Sequence, residues 1–425
     1  MIQSLYRTIV ATGLFCLATA AAHAQSTVAP DIYGVTSWGD MMWVYGPGTY
    51  PSMETPELLE KMIEHWKGRG HTGVMLRTDL GQIEPFIRRN PIPDDEEMAN
   101  SSGVANPRVA ALLHYVDTIM ESFDVHEVGA ELAKKYDFEW WAWHPQLYSD
   151  GAPETVGAPG LGRIWPWSYV NKYQFENQDV ITIDRQGAKL WMVPEYGYPG
   201  LREAKVNEIV HMAQTFGLRR FVLCMRSEVN QLIDPPSHAD QYGFNDVVVR
   251  DMKRLYEVDI MTDPRFDVKS PVFDSNDEMV NKWRDLRGSY VTQFYRELRE
   301  ALNKVDPDIK IGVTLSGDYV GPPLGNWRLD WRTWVNEGLV DEIITPVFFE
   351  GTLDHDAGKK HYLTNVREGI GVVDHQTIRN HINNSQHPRI KVITSGGPPY
   401  VFKSPPPGSD GWRCDLWYSA YTLAW

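Results

Sequence analysis

Carboxylates recur in this chain just beyond short apolar runs. Asp40 follows DIYGVTSWG, Asp79 follows TGVMLRT, Glu228 follows RFVLCMRS, Asp318 follows IKIGVTLSG and Glu350 follows EIITPVFF. Trp38, Trp43, Arg77, Trp143, His144, Arg226, Asn230 and Tyr319 stand beside the same run ends. Cleaving a glycosidic bond needs two carboxyl groups, one to protonate the leaving oxygen and one to serve as nucleophile or base. Aromatic side chains can cover the flat C–H faces of sugar rings, and the chain carries 16 Trp and 20 Tyr. No nucleophile–base signature and no phosphate loop competes with this chemistry.

Glu228 is the first candidate for the general acid. It lies two residues past an apolar run and beside Arg226, so partial burial and a neighbouring charge both act on its pKa. The alternative is a structural Arg–Glu pair at a barrel rim. Glu350 is the best second carboxylate, because Phe348 and Phe349 set it against an apolar wall, and Asp318 competes with it on nearly equal terms. Trp38, Trp43, Arg77, Trp143, Arg226, Asn230 and Tyr319 are candidate substrate contacts. Asp40 and Asp79 suit hydroxyl binding or loop fixing, and His144 is either a hydroxyl ligand or an ordinary buried histidine.

No metal or cofactor is expected. Asp354-His355-Asp356 with His361 lacks the i, i+4 histidine pair of a helical zinc site. The run DSNDE at 274–278 lacks the glycine and spacing of a calcium hand. GAPGLG at 157–162 follows no strand and opens no helix, so it is a loop and not a dinucleotide site.

The elements that must position these residues alternate between short β-branched or aromatic runs and amphipathic helical stretches, the mark of βα units around a parallel sheet. Strands are predicted at 31–38, 72–77, 138–143, 220–226, 309–315, 342–348 and 389–394. Helices are predicted at 55–66, 128–135, 203–216, 280–305 and 331–338, with a short one from Thr377. Two further runs, 180–183 and 189–193, are separated by only a short Gly-containing turn. Parallel neighbours need a far longer crossover, so 178–194 reads as a hairpin outside the barrel. The fold class is α/β, a TIM-type (β/α)8 barrel over 25–425, with insertions near 79–125, 145–202 and 229–279. Residues from 415 read as a helix, so the eighth strand is missing on this count. Truncation of the chain is favoured over entry of the hairpin into the barrel. In such barrels reactive groups project from the C-terminal strand ends, where all the candidate residues fall.

Residues 1–24 read as a cleaved export signal, with Arg7, an apolar run over 9–22, and Ala22-His23-Ala24 before a cut after Ala24. The run is too short to span a bilayer, and Cys16 lacks the small residue expected just before a lipidated cysteine, so no membrane anchor is expected. A periplasmic or secreted location follows. Cys224 and Cys414 lie too far apart in the chain to form a disulfide framework. The net charge of −15 gains nothing from nucleic acid or an anionic membrane, which leaves a carbohydrate as the expected partner.

The chain resembles the bacterial glycoside-hydrolase-like barrel proteins of the family 10-like group. The likeness runs over 31–425 and rests on the opening strand, PGLREAKVNEIVHMAQTFGLRRFVL at 199–223, YGFNDVVVRDMKRLYEVDI at 242–260, NKWRDLRGSYVTQFYRELREAL at 281–302 and VDEIITPVF at 340–348. It implies a sugar-active barrel with acids at strand ends. One departure is visible: members of the group carry a D-G-I-H-x-D type run at strand four, where this chain reads RRFVLCMRSE and Glu228 stands only near the usual position. The resulting expectation is a glycoside hydrolase with a two-carboxylate mechanism, and the alternative is a non-catalytic carbohydrate-binding barrel.

Overall fold

The computed structural model describes residues 29–36, 53–78, 87–89, 119, 121–144, 169–225, 240–315, 318–321, 325–346, 375–395, 405 and 407–415. Eight parallel strands close into a barrel. They are β1 (Asp31–Thr36), β2 (Gly73–Arg77), β3 (Glu139–His144), β4 (Arg220–Cys224), β5 (Lys310–Thr314), β6 (Glu342–Pro346), β7 (Lys391–Ser395) and β8 (Gly411–Asp415). Each pairs with its neighbours in chain order, and β8 closes the ring against β1 with Asp31 opposite Gly411.

The strand that the sequence reading left out is therefore Gly411–Asp415. Its GWRCD run holds one glycine and two charges in five residues, so no apolar stretch announces it. Pairing with β1 and β7 makes it a strand. The hairpin at 178–194 does lie outside the barrel, as a separate antiparallel pair of Ile181–Ile183 and Lys189–Pro194.

Helices follow the first six barrel strands: α1 (Pro56–Gly68), α2 (Val125–Tyr136), α3 (Pro199–Thr215), α4 (Glu278–Val305), α5 (Trp331–Asn336) and α6 (His375–Asn383). Local chemistry starts and stops them. Thr55 accepts from the Leu58 amide and Pro56 opens α1. Asp124 accepts from the amides of His126 and Glu127, and Asp137 at φ 48° ends α2 in the left-handed region. Asp277 caps α4, whose stripe of Val291, Phe294, Tyr295, Leu298 and Leu302 is buried at helical spacing against the barrel.

Side chains alternate between the bore and the helix layer. Tyr33, Trp141, Val222, Gly312 and Glu342 meet inside: the Tyr33 and Trp141 rings pack edge to face at 6.0 Å, and a Cβ on Gly312 would lie 3.3 Å from both Trp141 and Val222. Glycine there leaves room for the indole. The opposite face of β3 sends Trp140 onto α2, where a Cβ on Gly129 would overlap the indole.

A satellite core fills the insertion before α4. Helix Asp246–Tyr256 and the segment to Phe266 bury Phe244, Val247, Val248, Met252, Ile260 and Phe266 against Val280, Trp283 and Leu286 of α4. Asn245 stitches this unit to the hairpin, accepting from the Ile183 amide at 3.1 Å and donating to the Ile181 carbonyl at 2.8 Å. Beneath it the buried Arg287 donates to Glu195 at 3.0 Å and to the Tyr242 carbonyl at 2.9 Å. Burial pushes the Glu195 carboxyl up, while Arg287 and the Gly197 amide oppose it; the guanidinium itself stays charged.

Two variants test this packing. Gly288→Ala would set its Cβ 2.1 Å from the Arg328 carbonyl oxygen, and overpacking of this kind costs about 1–3 kcal/mol, read as a lower denaturation midpoint. Arg287→Met leaves the buried Glu195 without its counter-charge and costs about 3–5 kcal/mol, whereas adding Glu195→Gln restores part of the loss. A double variant no more stable than Arg287→Met would refute the pairing as the cause.

Candidate functional site

All eight strands point the same way, so their C-terminal ends, Thr36, Arg77, His144, Cys224, Thr314, Pro346, Ser395 and Asp415, form one rim. Trp38, Asp40, Trp43, Asp79, Arg226, Glu228, Asn230 and Glu350 follow β1, β2, β4 and β6 and lie outside the described residues. Tyr319 falls in a small antiparallel hairpin, Tyr319–Gly321 with Gly325–Arg328. Arg77, Trp143, His144 and Asp318 have described side chains.

Arg77 and Trp143 come together. They share a rung of the β2–β3 ladder, and the Arg77 guanidinium lies 5.5 Å from the centroid of the Trp143 ring. The Arg413 guanidinium, on β8, stands 4.6 Å from the same ring. Arg413 pairs with Tyr33 on one side and Ser395 on the other, which puts it on the bore face of its strand. A tryptophan with two guanidiniums near its ring brings an apolar group and planar, multiply donating groups together, a combination suited to sugar C–H faces and oxygen acceptors. The sequence reading missed Arg413 because it missed the strand; period-2 alternation through GWRCD was the available signal.

A buried relay fixes the β2 end that carries Arg77. The Trp140 indole N–H donates to His126 Nδ1 at 3.2 Å. Nδ1 is therefore the acceptor, so the His126 ring proton sits on Nε2 and is donated to the Arg77 carbonyl at 3.2 Å.

His144 is not at the mouth. The alternation that turns Trp141 and Trp143 into the bore turns His144 to the helix layer, where it is 2% exposed. Its Nδ1 lies 3.2 Å from the Thr78 hydroxyl and its Nε2 3.7 Å from Glu208 of α3. Burial, and then the Lys205 ammonium, hold its pKa well below the usual histidine range, so the ring is neutral. It packs strand against helix, and the expectation of a hydroxyl ligand gives way to the buried-histidine alternative.

Asp318 is engaged with the start of α5. It accepts from the Trp331 indole N–H at 2.7 Å and from Arg332 at 3.1 Å, while its carbonyl accepts from the Leu329 amide at 2.7 Å. These contacts fold the hairpin back onto α5 and give this carboxylate a positioning task. Among the described residues, no group of three or more His, Cys, Asp or Glu is placed to hold a metal ion. Likewise, no described helix is long and apolar enough to cross a membrane.

No curated protein sequence matches this chain. Solved structures with a similar trace include the catalytic domain of a beta-amylase from Paenibacillus polymyxa, at 10% identity over 91% of this chain and 93% of that one, with a TM-score of 0.48. A GH18 chitinase from Pseudoalteromonas aurantia matches at 9% identity over 93% of this chain and 100% of that one, with a TM-score of 0.37. An alpha-galactosidase from Lactobacillus brevis matches at 9% identity over 93% of this chain and 40% of that one, with a TM-score of 0.40. Residues 244–366, from the satellite helix through α4, β5 and β6, match the family described as Glycosyl hydrolase-like 10.

Proposed function

We propose that the chain is a glycoside hydrolase acting on a poly- or oligosaccharide outside the cytoplasm, with Glu228 as acid/base and Glu350 as the second carboxylate. Glu350 ranks ahead of Asp318, whose carboxylate is already engaged by Trp331 and Arg332. The observation that carries this reading is the closed parallel barrel. Strands β1, β2, β4 and β6 end on the rim that carries Arg77 and Trp143, and an acid follows each of them in sequence, which supports this reading. The match of 244–366 to Glycosyl hydrolase-like 10 supports the same chemistry. The export signal read at 1–24 supports the location.

In this mechanism one carboxyl group protonates the departing glycosidic oxygen. The other attacks the anomeric carbon, or activates a water that does. A separation of about 5–5.5 Å between the two implies retention of configuration, and about 6.5–9.5 Å implies inversion. The Trp143 ring and its flanking guanidiniums supply binding energy to sugar faces and oxygens beside the reacting bond.

One specific observation favours a second reading, a carbohydrate-binding barrel without turnover: Asp318, the one candidate catalytic acid with described surroundings, is already engaged by Trp331 and Arg332.

A panel of polysaccharides separates the two readings. For the hydrolase, Glu228→Gln lowers kcat by about 100-fold or more while binding persists. Wild-type protein that binds a sugar polymer and releases no reducing ends is the binder. Asp318→Asn is expected to keep turnover within a few fold and to cost about 0.5–1 kcal/mol of stability, because its partner Arg332 is partly exposed. A kcat loss equal to that of Glu228→Gln would instead make Asp318 the second carboxylate.

A further inference from the structure

The N-terminal end of the bore, opposite the mouth, is closed by charged and polar side chains that the proposed chemistry does not use. Glu342 of β6 is buried there. Facing it are Asp31 and Tyr33 from β1, Glu139 from β3, Arg220 from β4 and Lys391 from β7, with Lys310 of β5 and Asp341 beside them.

Two geometric facts fix the state of Glu342. The Tyr33 hydroxyl lies 2.9 Å from Glu139 Oε2 and 3.3 Å from Glu342 Oε1. A phenol has one proton to donate, and burial with the nearby carboxylates keeps Tyr33 protonated. Glu139 also accepts from the Trp141 indole at 2.9 Å and from Arg220 at 3.2 Å. That set of donors suits a carboxylate, so the Tyr33 proton goes to Glu139, over the shorter distance. The contact between Tyr33 and Glu342 then needs its own proton, and the only remaining source is the Glu342 carboxyl.

Charge pairing gives the same answer. Arg220 pairs with Glu139 at 3.2 Å and Lys391 with Asp31 at 2.6 Å. Asp341 is held by Arg299 at 2.6 Å and by Lys310 at 3.2 Å, so the cations here are directed at the other acids. Lys391 lies 4.0 Å from Glu342, beyond hydrogen-bond reach. An ionised Glu342 would be a buried charge with no cation in hydrogen-bond reach and with Oε2 lacking any hydrogen-bond partner.

We propose that Glu342 is folded in as a neutral carboxylic acid that donates to Tyr33, and that this chain of Glu342, Tyr33 and Glu139 makes the barrel's N-terminal plug a proton-linked device. Burial, reinforced by Glu139 and Asp31, raises the Glu342 pKa well above the usual carboxylate range, against the opposing pull of Lys391. In the unfolded chain a glutamate titrates near about 4.3. Between that value and the raised folded pKa, folding takes up one proton. Stability from this group is therefore complete at acid pH and declines as pH rises, until the folded carboxyl itself ionises. Beyond that point Glu342 is a buried carboxylate with no hydrogen-bonded cation.

Denaturant unfolding of the full chain and of Glu342→Gln, across the pH range from 5 to the folded pKa, tests this. The amide keeps the shape and can still donate to Tyr33. The folding constant of the wild type is expected to fall about tenfold relative to the variant for each pH unit. An infrared difference spectrum at neutral pH should show a protonated-carboxyl band in the wild type that Glu342→Gln lacks. Parallel stability curves with no such band would overturn the proposal. Should Glu342→Gln fail to fold, carboxyl-carbon NMR of the wild type carries the test. One glutamate resonance holding its protonated shift at neutral pH, and persisting in Glu195→Gln, supports the proposal; its absence refutes it. Neither readout depends on turnover, so the proposed hydrolysis stands or falls separately.

Discussion

Closing a parallel sheet on itself imposes one constraint on every strand residue: successive side chains face either the bore or the helix layer. Every placement that bears on function descends from that division. On β3 it sends Glu139, Trp141 and Trp143 inward and Trp140 and His144 outward. Residues adjacent in sequence are thereby assigned to unrelated tasks. Trp143 meets Arg77 and Arg413 in the bore, whereas His144, its neighbour, is sealed beneath α3.

The two ends of the bore are organised differently, for one electrostatic reason. Charges taken out of water must be paired or neutralised. At the N-terminal end the pairs Arg220–Glu139, Lys391–Asp31 and Lys310–Asp341 neutralise one another in place. That end stays fixed, as expected for the stability face of such barrels. Toward the C-terminal end, the described bore residues include Trp143 and the guanidiniums of Arg77 and Arg413. The strands there run on into the insertions, and those after β2 and β3 meet through the antiparallel pairing of Ile87–Arg89 with Tyr169–Asn171.

The helix layer holds the strand ends in register. His126 reaches from α2 to the Arg77 carbonyl, and Asn245 joins the satellite core to the hairpin outside the barrel. Neither link is local, and each satisfies backbone hydrogen-bonding groups. The satellite core shares α4 with the barrel: Trp283 and Leu286, near its N-terminal end, pack in the satellite core, and Phe294 and Leu298, further along, pack in the barrel core. One long helix thus fastens the insertion to the ring.

Much of this architecture was legible in the residues. Runs such as RFVLC and KIGVT are apolar and β-branched enough to identify β4 and β5 unaided, and the short turn at 184–188 kept the hairpin out of the ring. The period of α4 was equally plain. Strand β8 was not, since GWRCD owes its conformation to two neighbours far away in the chain. With it went Arg413, whose importance is only that Trp143 lies against it. Asp318 and His144 carried the right residue types at the right sequence positions, and their partners Trp331, Arg332, Thr78 and Glu208 decided their tasks. Local sequence determined the main helices and every barrel strand but β8, because propensity and hydrophobic period act over a few neighbouring residues. Which face each polar side chain presents, and what it meets there, was decided only by closure, because closure alone brings together groups separated by hundreds of residues, as with Tyr33 and Glu342.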